Sequence, residues 1–152
     1  MKKINYFIVL CGLLSLVTFG FTSCSDDDEK FDNSAIIGKW QPVHVEGYEI
    51  YDGDKDEWEE DEDDLYSEYS VVKFKKDGSI DIYQYYDGEL DEIYTDAGSF
   101  KLDGNKLKIK SEDGVLTYKV LSLTDNKMIL SYEVKVEDYE AYEETTWRKI
   151  ED

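Results

Sequence analysis

The sequence predicts an all-β domain, folded as an eight-stranded antiparallel up-and-down barrel. From residue 35 onward, Asp-Gly and related dipeptides divide the chain at short intervals, and such dipeptides adopt the positive φ angles of tight hairpin turns. Between the turns, apolar and polar residues alternate with period two, which is typical of strands with one buried face. Convincing helical periodicity is absent, although residues 137–142 are long enough for one helical turn.

The turns delimit eight strands. The turn dipeptides are Asp77-Gly78, Asp87-Gly88, Asp103-Gly104-Asn105, Asp113-Gly114 and Asp125-Asn126. The predicted strands are 36–50, 68–76, 79–86, 92–102, 106–111, 115–123, 127–137 and 143–150. Short connections make sequential strands antiparallel neighbours, and eight of them bring the last strand beside the first. Closure of the barrel then removes exposed edges.

The first 23 residues predict a bacterial signal peptide. Lys2 and Lys3 form a positive start, and residues 4–25 carry no charge. The segment Phe-Thr-Ser-Cys at 21–24 resembles the lipobox of bacterial lipoproteins, in which a diacylated Cys becomes the first mature residue. This resemblance implies that Cys24 carries the lipid, palmitate included, after residues 1–23 are removed. An uncleaved membrane helix is the alternative, because the apolar run is long enough to span a bilayer.

Residues 24–34 predict an acidic tether, and residues 35–152 the domain. The segment 25–30, Ser-Asp-Asp-Asp-Glu-Lys, resembles the acidic patch after the lipidated Cys in surface-exposed lipoproteins of the Bacteroidetes. It implies an outer-membrane protein that faces the cell exterior and is anchored in the lipid bilayer through Cys24. Alternatively, the segment is a soluble tether on the periplasmic side. Cys11 is lost with the leader, so the mature domain would have no disulfide.

The chain is strongly acidic. It has 37 Asp and Glu against 17 Lys and Arg, for a formal charge of −20. Nucleic acid and anionic lipid head groups are poor partners for such a surface. The aromatic content of 14% and the single Pro do not fit a disordered chain, so we expect a folded, monomeric domain with a solvated acidic surface.

Catalytic chemistry has no recognisable place in the sequence. The one His, His44, lies on the first predicted strand in phase with Pro42 and Glu46. There is no Gly-x-Ser-x-Gly motif and no mature thiol. Carboxylate pairs are so numerous that none stands out as an acid and base. We therefore expect a protein that is not an enzyme, with no catalytic residue and no cofactor.

Two short motifs resemble those of lipocalins, over about residues 35–150. Gly38-Lys39-Trp40 resembles the Gly-x-Trp signature of that family, and Trp147-Arg148 is placed like its terminal Arg. The chain is most similar to small lipocalin-like lipoproteins of the Bacteroidetes. The resemblance implies that Gly38 and Trp40 mark the closed end of the barrel and that Arg148 packs against Trp40. A large ring would plug the barrel there, and a guanidinium can stack on it.

The resemblance also implies a small hydrophobic or aromatic-compatible ligand at the barrel mouth. Five aromatic residues on the predicted inner face are candidate ligand-binding residues, namely Phe74, Tyr86, Phe100, Tyr118 and Tyr132. An eight-stranded barrel either fills with side chains or leaves space for one small ligand. The alternative function is thus a filled-barrel accessory lipoprotein, which would contact protein or glycan partners through loops and exposed tyrosines such as Tyr83 and Tyr85.

The densest charge lies between the first two predicted strands. Ten of the thirteen residues 52–64 are acidic. Weak calcium candidates, at EF-hand-like spacing, are Asp52, Asp54, Asp56, Glu60 and Asp63. Glu57 stands where an EF-hand needs Gly, so we expect a mobile, solvated loop that binds calcium at about millimolar strength. Trp58 and Leu65 would let this loop fold over the mouth as a lid.

Overall fold

The computed structural model describes residues 31–151. The predicted signal peptide, Cys24 and the tether as far as Lys30 lie outside the described residues. The strands are β1 (Gly38–Tyr51), β2 (Asp54–Asp61), β3 (Glu68–Phe74), β4 (Ser79–Tyr86), β5 (Glu89–Asp103), β6 (Lys106–Ser111), β7 (Gly114–Leu123), β8 (Lys127–Val136) and β9 (Tyr139–Ile150), and helix α1 is Glu62–Leu65. Within 31–151, no helix has the length and apolar character needed to cross a membrane.

Eight of the strands form a closed antiparallel barrel. From β3 to β9 each strand pairs with the next one along the chain. β1 closes the barrel by pairing with β9 along most of its length, from Lys39 opposite Ile150 to Tyr51 opposite Tyr139. The first three residues of β1 also pair with the end of β3. The predicted all-β, eight-stranded up-and-down barrel is therefore confirmed.

β2 is a ninth strand in the segment for which the sequence predicted a loop. It pairs with the second half of β1, from His44 opposite Asp61 to Tyr51 opposite Asp54. Trp58 is partly buried and the rest of the strand is exposed. Charged side chains on both faces leave no apolar alternation to read in the sequence. Backbone pairing with β1 holds the strand instead, so the loop prediction is corrected.

Two other strands begin earlier than expected. β5 starts at Glu89 and not at residue 92, and β9 starts at Tyr139 and not at residue 143. Residues 137–142 thus form a tight turn and the start of a strand, and not a helical turn. In both hairpins, strand pairing therefore extends as far as the turn residues.

The closed end of the barrel is packed around Trp40. This side chain is fully buried, and its indole Nε1 donates a hydrogen bond of 2.7 Å to the carbonyl of Ile36. Phe31, from the segment predicted as a tether, packs against the same core. The buried cluster consists of Ile36, Trp40, Phe74, Ile80, Leu102, Leu107, Val120, Met128, Leu130 and Trp147. An aromatic and aliphatic plug therefore fills this end, without a disulfide.

The partner of Trp40 on the last strand is Lys149, and not Arg148 as the lipocalin resemblance implied. β9 pairs Lys149 with Trp40, so Arg148 points to the opposite face of the sheet. The Lys149 Nζ lies 5.0 Å from the centroid of the Trp40 ring and donates to the carbonyl of Ala35 at 2.8 Å. Arg148 instead donates two hydrogen bonds to Glu62 of α1, at 2.6 and 3.0 Å.

Candidate functional site

The inner face of the barrel is the candidate site, and strand pairing shows which residues belong to it. Trp147 pairs with the buried core residue Met128. Side chains of a strand alternate between faces, so Thr145 and Glu143 share the inner face with Trp147. Glu143 pairs with Tyr132 of β8 on the same face. The upper inner face of β8 and β9 therefore carries polar groups, in contrast to the apolar closed end.

Two of the predicted ligand-binding residues belong to the filled end of the barrel. Phe74 is buried, and Phe100 packs against it edge to face with ring centroids 4.9 Å apart. Phe74 belongs to the core cluster, and Phe100 packs against that cluster. Edge-to-face packing of this kind is ordinary core packing, so these two rings are part of the filled end of the barrel.

Tyr118 and Tyr132 lie together higher in the barrel. Their ring centroids are 5.6 Å apart with the rings tilted at 49°, and both side chains are partly buried. Tyr118 packs on the core cluster from above, while Tyr132 lies opposite Glu143. This pair forms an aromatic wall between the filled end and the mouth.

Tyr86 does not lie in the interior, because 59% of it is exposed at the end of β4. It borders a surface depression of about 270 Å³ at the mouth. The lining residues are Glu68, Tyr69, Ser70, Gln84, Tyr85, Tyr86 and Asp91. Alternation correctly placed Tyr86 on the same face of β4 as Ile80. However, β4 extends beyond the buried core, so Tyr86 is exposed.

The tyrosines expected to be exposed on the outer face of β4 are partly covered. The Lys39 Nζ lies 4.6 Å from the ring centroid of Tyr83. Tyr85 stacks on Tyr69 with ring centroids 4.9 Å apart and nearly parallel planes. Each ring therefore offers only part of its surface to a macromolecular partner.

Glu143 is the inner-face carboxyl that sequence reasoning missed. Thr145 Oγ1 donates to its Oε1 at 3.4 Å. Burial raises the pKa of Glu143, and the negative charge of Glu60 raises it further. No Lys, Arg or His of residues 31–151 forms an ion pair with it. Glu143 lies four residues before Trp147 and therefore on the same face of β9. The sequence could have indicated its inward position only if the face of Trp147 had been known.

Trp58 also lies on the inner face, because it pairs with Gly47 of β1. Gly47 pairs with Trp58 of β2 on one side and with Glu143 of β9 on the other. A Cβ atom at Gly47 would lie 2.6 Å from Cζ2 of Trp58 and 2.4 Å from the Tyr142 carbonyl oxygen. The absence of a side chain at Gly47 is thus what lets Trp58 pack against β1. The residue suggested as part of a lid is held on a strand.

The outer face of the β1–β2 hairpin carries a group that can hold a cation. His44, Glu46 and Glu59 each offer one ligand atom, all within 4.8 Å of one another. The Nδ1 of His44 lies 2.8 Å from Asp61 Oδ1. That hydrogen bond is the main reason that the pKa of His44 is raised, with burial opposing it and the nearby carboxylates adding to it. An imidazolium among carboxylates accounts for the arrangement without a metal.

The five weak calcium candidates are spread along an extended segment. Asp52 lies in the β1–β2 turn with φ 51°, and Asp63 lies in α1. Asp54, Asp56 and Glu60 lie on β2, where six residues span about 20 Å. The backbone therefore does not wrap these carboxylates around one ion.

One family model matches this chain, and several solved structures are similar to it. Residues 36–130 match the model of a family described as lipocalin-like domain. Lobster apocrustacyanin A1 is similar in structure, with 15% identity, 77% of this chain and 62% of that chain covered, and a TM-score of 0.48. A bovine odorant-binding protein, a deswapped triple mutant, has 16% identity, 78% and 76% coverage and a TM-score of 0.43.

The chain covers less than two thirds of the length of apocrustacyanin A1. A search of curated protein sequences found no match. The family model nevertheless spans more than half of the chain, from the turn before β1 into β8. This protein belongs to the lipocalin-like domain family.

Proposed function

We propose that this protein is a membrane-anchored lipocalin-like lipoprotein whose monomeric domain binds a small hydrophobic or aromatic-compatible ligand at the barrel mouth, without catalysis. One observation carries the proposal. Above the filled end, the inner face changes from aliphatic packing to the Tyr118–Tyr132 pair beside Glu143 and Thr145. Large rings with a few polar groups are the usual lining of a small-molecule site.

An unsatisfied polar atom supports a ligand inside the barrel. The Nε1 of Trp147 is buried and has no hydrogen-bond partner among the described residues. A buried donor without an acceptor costs about 1–3 kcal/mol. Trp147 lies on the inner face, next in phase below Thr145. An acceptor on a bound molecule or an ordered water would remove this cost.

The proposed location rests on the N-terminal sequence. The lipobox-like segment at 21–24 and the acidic segment at 25–30 support a lipid anchor at Cys24 and an outer membrane location facing the cell exterior. The periplasmic face is the alternative orientation. Because no base interrupts the acidic run before Lys30, the segment would repel anionic head groups and extend away from them.

The filled-barrel accessory role is the second candidate. The tight packing of the closed end around Trp40, Phe74 and Phe100 favours it. Against it, Tyr83 and Tyr85 on the outer face are engaged by Lys39 and Tyr69. The binding role also accounts for the rings and polar groups on the inner face, which a filled barrel does not require.

Native mass spectrometry of the protein purified from its own host tests the proposal. We expect an additional small-molecule mass on the wild-type chain that is lost from Tyr132→Ala, because that change removes one ring of the inner wall. Tyr83→Ala is the matched control, since Tyr83 lies on the outer face of β4, beside Lys39. Wild-type protein that carries no extra mass after gentle purification would favour the filled barrel.

A further inference from the structure

The charges of the β2–β1–β9 part of the sheet are sorted by face. Gly47 pairs with both Trp58 and Glu143, and one row away Val45 pairs with both Glu60 and Thr145. In the next row the partners of Glu49 are Asp56 and Ala141. Three glutamates, Glu49, Glu60 and Glu143, therefore share the inner face around a glycine.

The bases of these strands and of the neighbouring β8 lie elsewhere. Lys55 pairs with Ile50 and contacts the Tyr48 ring on the outer face, and Lys135 forms an outer ion pair with Glu140. Lys149 faces inward but is bound at the closed end, over Trp40. Within the described part of the chain, no basic residue forms an ion pair with the inner glutamates.

Aromatic rings surround the same position. Trp58 lies against Gly47 from the β2 side, and Tyr132 lies opposite Glu143 on the β8 side, with Tyr118 beside it. A cation is attracted both to carboxylates and to the faces of Trp and Tyr rings. Gly47 has no side chain, and the Trp58 ring fills the place that a Cβ atom would take there, so this ring lies beside Glu143, the partner of Gly47 on β9.

We propose that the ligand is an organic cation, a small amine with an apolar or aromatic body, whose ammonium group lies beside the Trp58 ring that covers Gly47, between Glu143, Glu60 and the Tyr132 ring. This inference rests on the proposed function and specifies its ligand class. The apolar body would point toward the Tyr118–Tyr132 wall. Carboxylate ligands such as fatty acids are disfavoured, because they would be repelled by the inner glutamates.

Burial supports the same assignment. The pKa of Glu143 is raised because burial disfavours its charged form, and Glu60 adds like-charge repulsion. A buried carboxylate is costly unless it is paired. A ligand ammonium would supply the countercharge that residues 31–151 do not provide, so binding energy is available there to a cation and not to a neutral isostere.

Three probes with one aromatic body and different charges test the proposal. They are 2-phenylethylamine, 2-phenylethanol and 3-phenylpropionate. Titration calorimetry uses the complete protein from its host in nanodiscs of zwitterionic lipid, with empty nanodiscs subtracted. We expect the amine to bind at least tenfold more tightly than the alcohol and the acid to bind most weakly. Equal affinity for amine and alcohol, or tighter binding of the acid, would overturn the proposal.

Two Glu→Gln variants test which carboxylate pairs with the ligand ammonium. Glu143→Gln should weaken amine binding at least tenfold and leave alcohol binding unchanged. It should fold, because an amide is less costly to bury than a carboxylate. Glu144→Gln, one residue along and on the outer face, should bind the amine as the wild type does. Equal amine affinity in the Glu143→Gln variant and the wild type would refute this site.

The test separates this inference from the proposed function. A small molecule seen by native mass spectrometry, together with no preference for the amine, would leave a binding protein whose ligand is not a cation. If no probe releases or absorbs heat beyond that of empty nanodiscs, the amine proposal fails, and native mass spectrometry on the same sample still decides whether the barrel binds a ligand.

Discussion

At the scale of single residues, neighbouring positions in one strand have unrelated roles. Trp147 is core, Arg148 lies on the outer face in an ion pair with Glu62, and Lys149 lies over Trp40. The residue type does not distinguish Arg148 from Lys149, since both are bases suited to stacking on an indole ring. The pairing of β9 with β1 makes the choice, because only Lys149 is opposite Trp40.

Trp40→Ala should lower the free energy of unfolding by about 3–5 kcal/mol, because it removes a large buried ring from the closed end. Arg148→Ala should lower it by less than about 1 kcal/mol, because its pair with Glu62 is about half exposed. Denaturant unfolding of both variants measures the difference. A loss below about 1 kcal/mol for Trp40→Ala would contradict its burial.

A second residue-scale feature is the buried carboxylate Asp81. Lys75 Nζ donates to Asp81 at 2.8 Å and to Asp96 at 2.6 Å, and the Asp96 backbone N–H donates to Asp81 at 2.8 Å. Burial alone would raise the pKa of Asp81, but these hydrogen bonds outweigh it and the pKa is lowered. The network fixes the irregular pairing of β4 with β5, where Asp96 has φ 52°.

Asp81→Asn should lower the free energy of unfolding by about 2–3 kcal/mol at pH 7, because Lys75 loses its buried partner. The folded pKa of Asp81 lies below its usual value of 3.8, so its stabilisation is full above that value and is lost as the pH falls through the lower folded pKa. The difference between wild type and variant should therefore shrink below about pH 4. Urea melts at several pH values measure it.

Asp103→Asn is the control for that comparison. Its side chain is 72% exposed and lies 3.9 Å from Lys101, so the substitution should change stability by less than about 0.5 kcal/mol. A pH-independent loss in Asp81→Asn would mean that the effect comes from packing and not from charge.

At the scale of elements, the β1–β2 hairpin shows a strand formed without a buried stripe. Its outer face carries His44, Glu46, Glu59 and Asp61, and its inner face carries Trp58 on Gly47. Pairing with β1 holds it on one side, and no further strand pairs with its other edge in the described sheet. The dense negative charge of β2 protects that edge from strand addition.

Calcium should change the stability of the protein very little. Since β2 is extended, its carboxylates do not surround one ion, and we expect binding no tighter than about millimolar. A ligand at 100 times its dissociation constant stabilises by about 2.7 kcal/mol, so a tight site would raise the melting temperature clearly. Thermal melts in about 1 mM calcium and in chelator should differ by less than about a degree.

The control for the calcium melts replaces Asp52, Asp54 and Asp56 with Asn. The triple variant should respond to calcium as the wild type does. A rise of several degrees in the wild type that disappears in the triple variant would show a specific site in the hairpin, and would make calcium a ligand of the β1–β2 segment.

At the scale of the whole molecule, the acidic domain and the N-terminal segment are connected by a short stretch of chain. Phe31 already packs against the core, so only six residues, 25–30, separate the domain from Cys24. Fully extended, they span about 20 Å. A lipid at Cys24 would therefore keep the closed end of the barrel near the membrane surface.

Cys24 should be the acylated residue. Metabolic labelling with a fatty-acid analogue should mark the wild-type protein and leave Cys24→Ser unlabelled, because the thiol is the acceptor. Cys11→Ser is the matched control and should label as the wild type does, since Cys11 lies in the predicted leader. Equal labelling of the wild type and Cys24→Ser would rule out this anchor.

The barrel itself followed from local patterns in the sequence. Turn dipeptides and alternation gave β4 at 79–86 and β6 at 106–111 with the bounds that the structure has. These patterns are local, because a hairpin turn determines how the two adjoining strands pair. The closed end came instead from the resemblance to lipocalins, which implied that Gly38 and Trp40 mark it, and Trp40 is fully buried there.

The contacts of the candidate site were decided only by pairing between distant strands. The pairing of β1 shifts between Pro42 and His44, so these residues face opposite sides, although the sequence put them in phase. β2 formed without apolar alternation because β1 was there to pair with it. Glu143 faces inward because β8 and β1 fix the phase of β9, whose polar residues occupy both faces. Alternation identifies two faces of a strand, but only long-range register determines which one is inside.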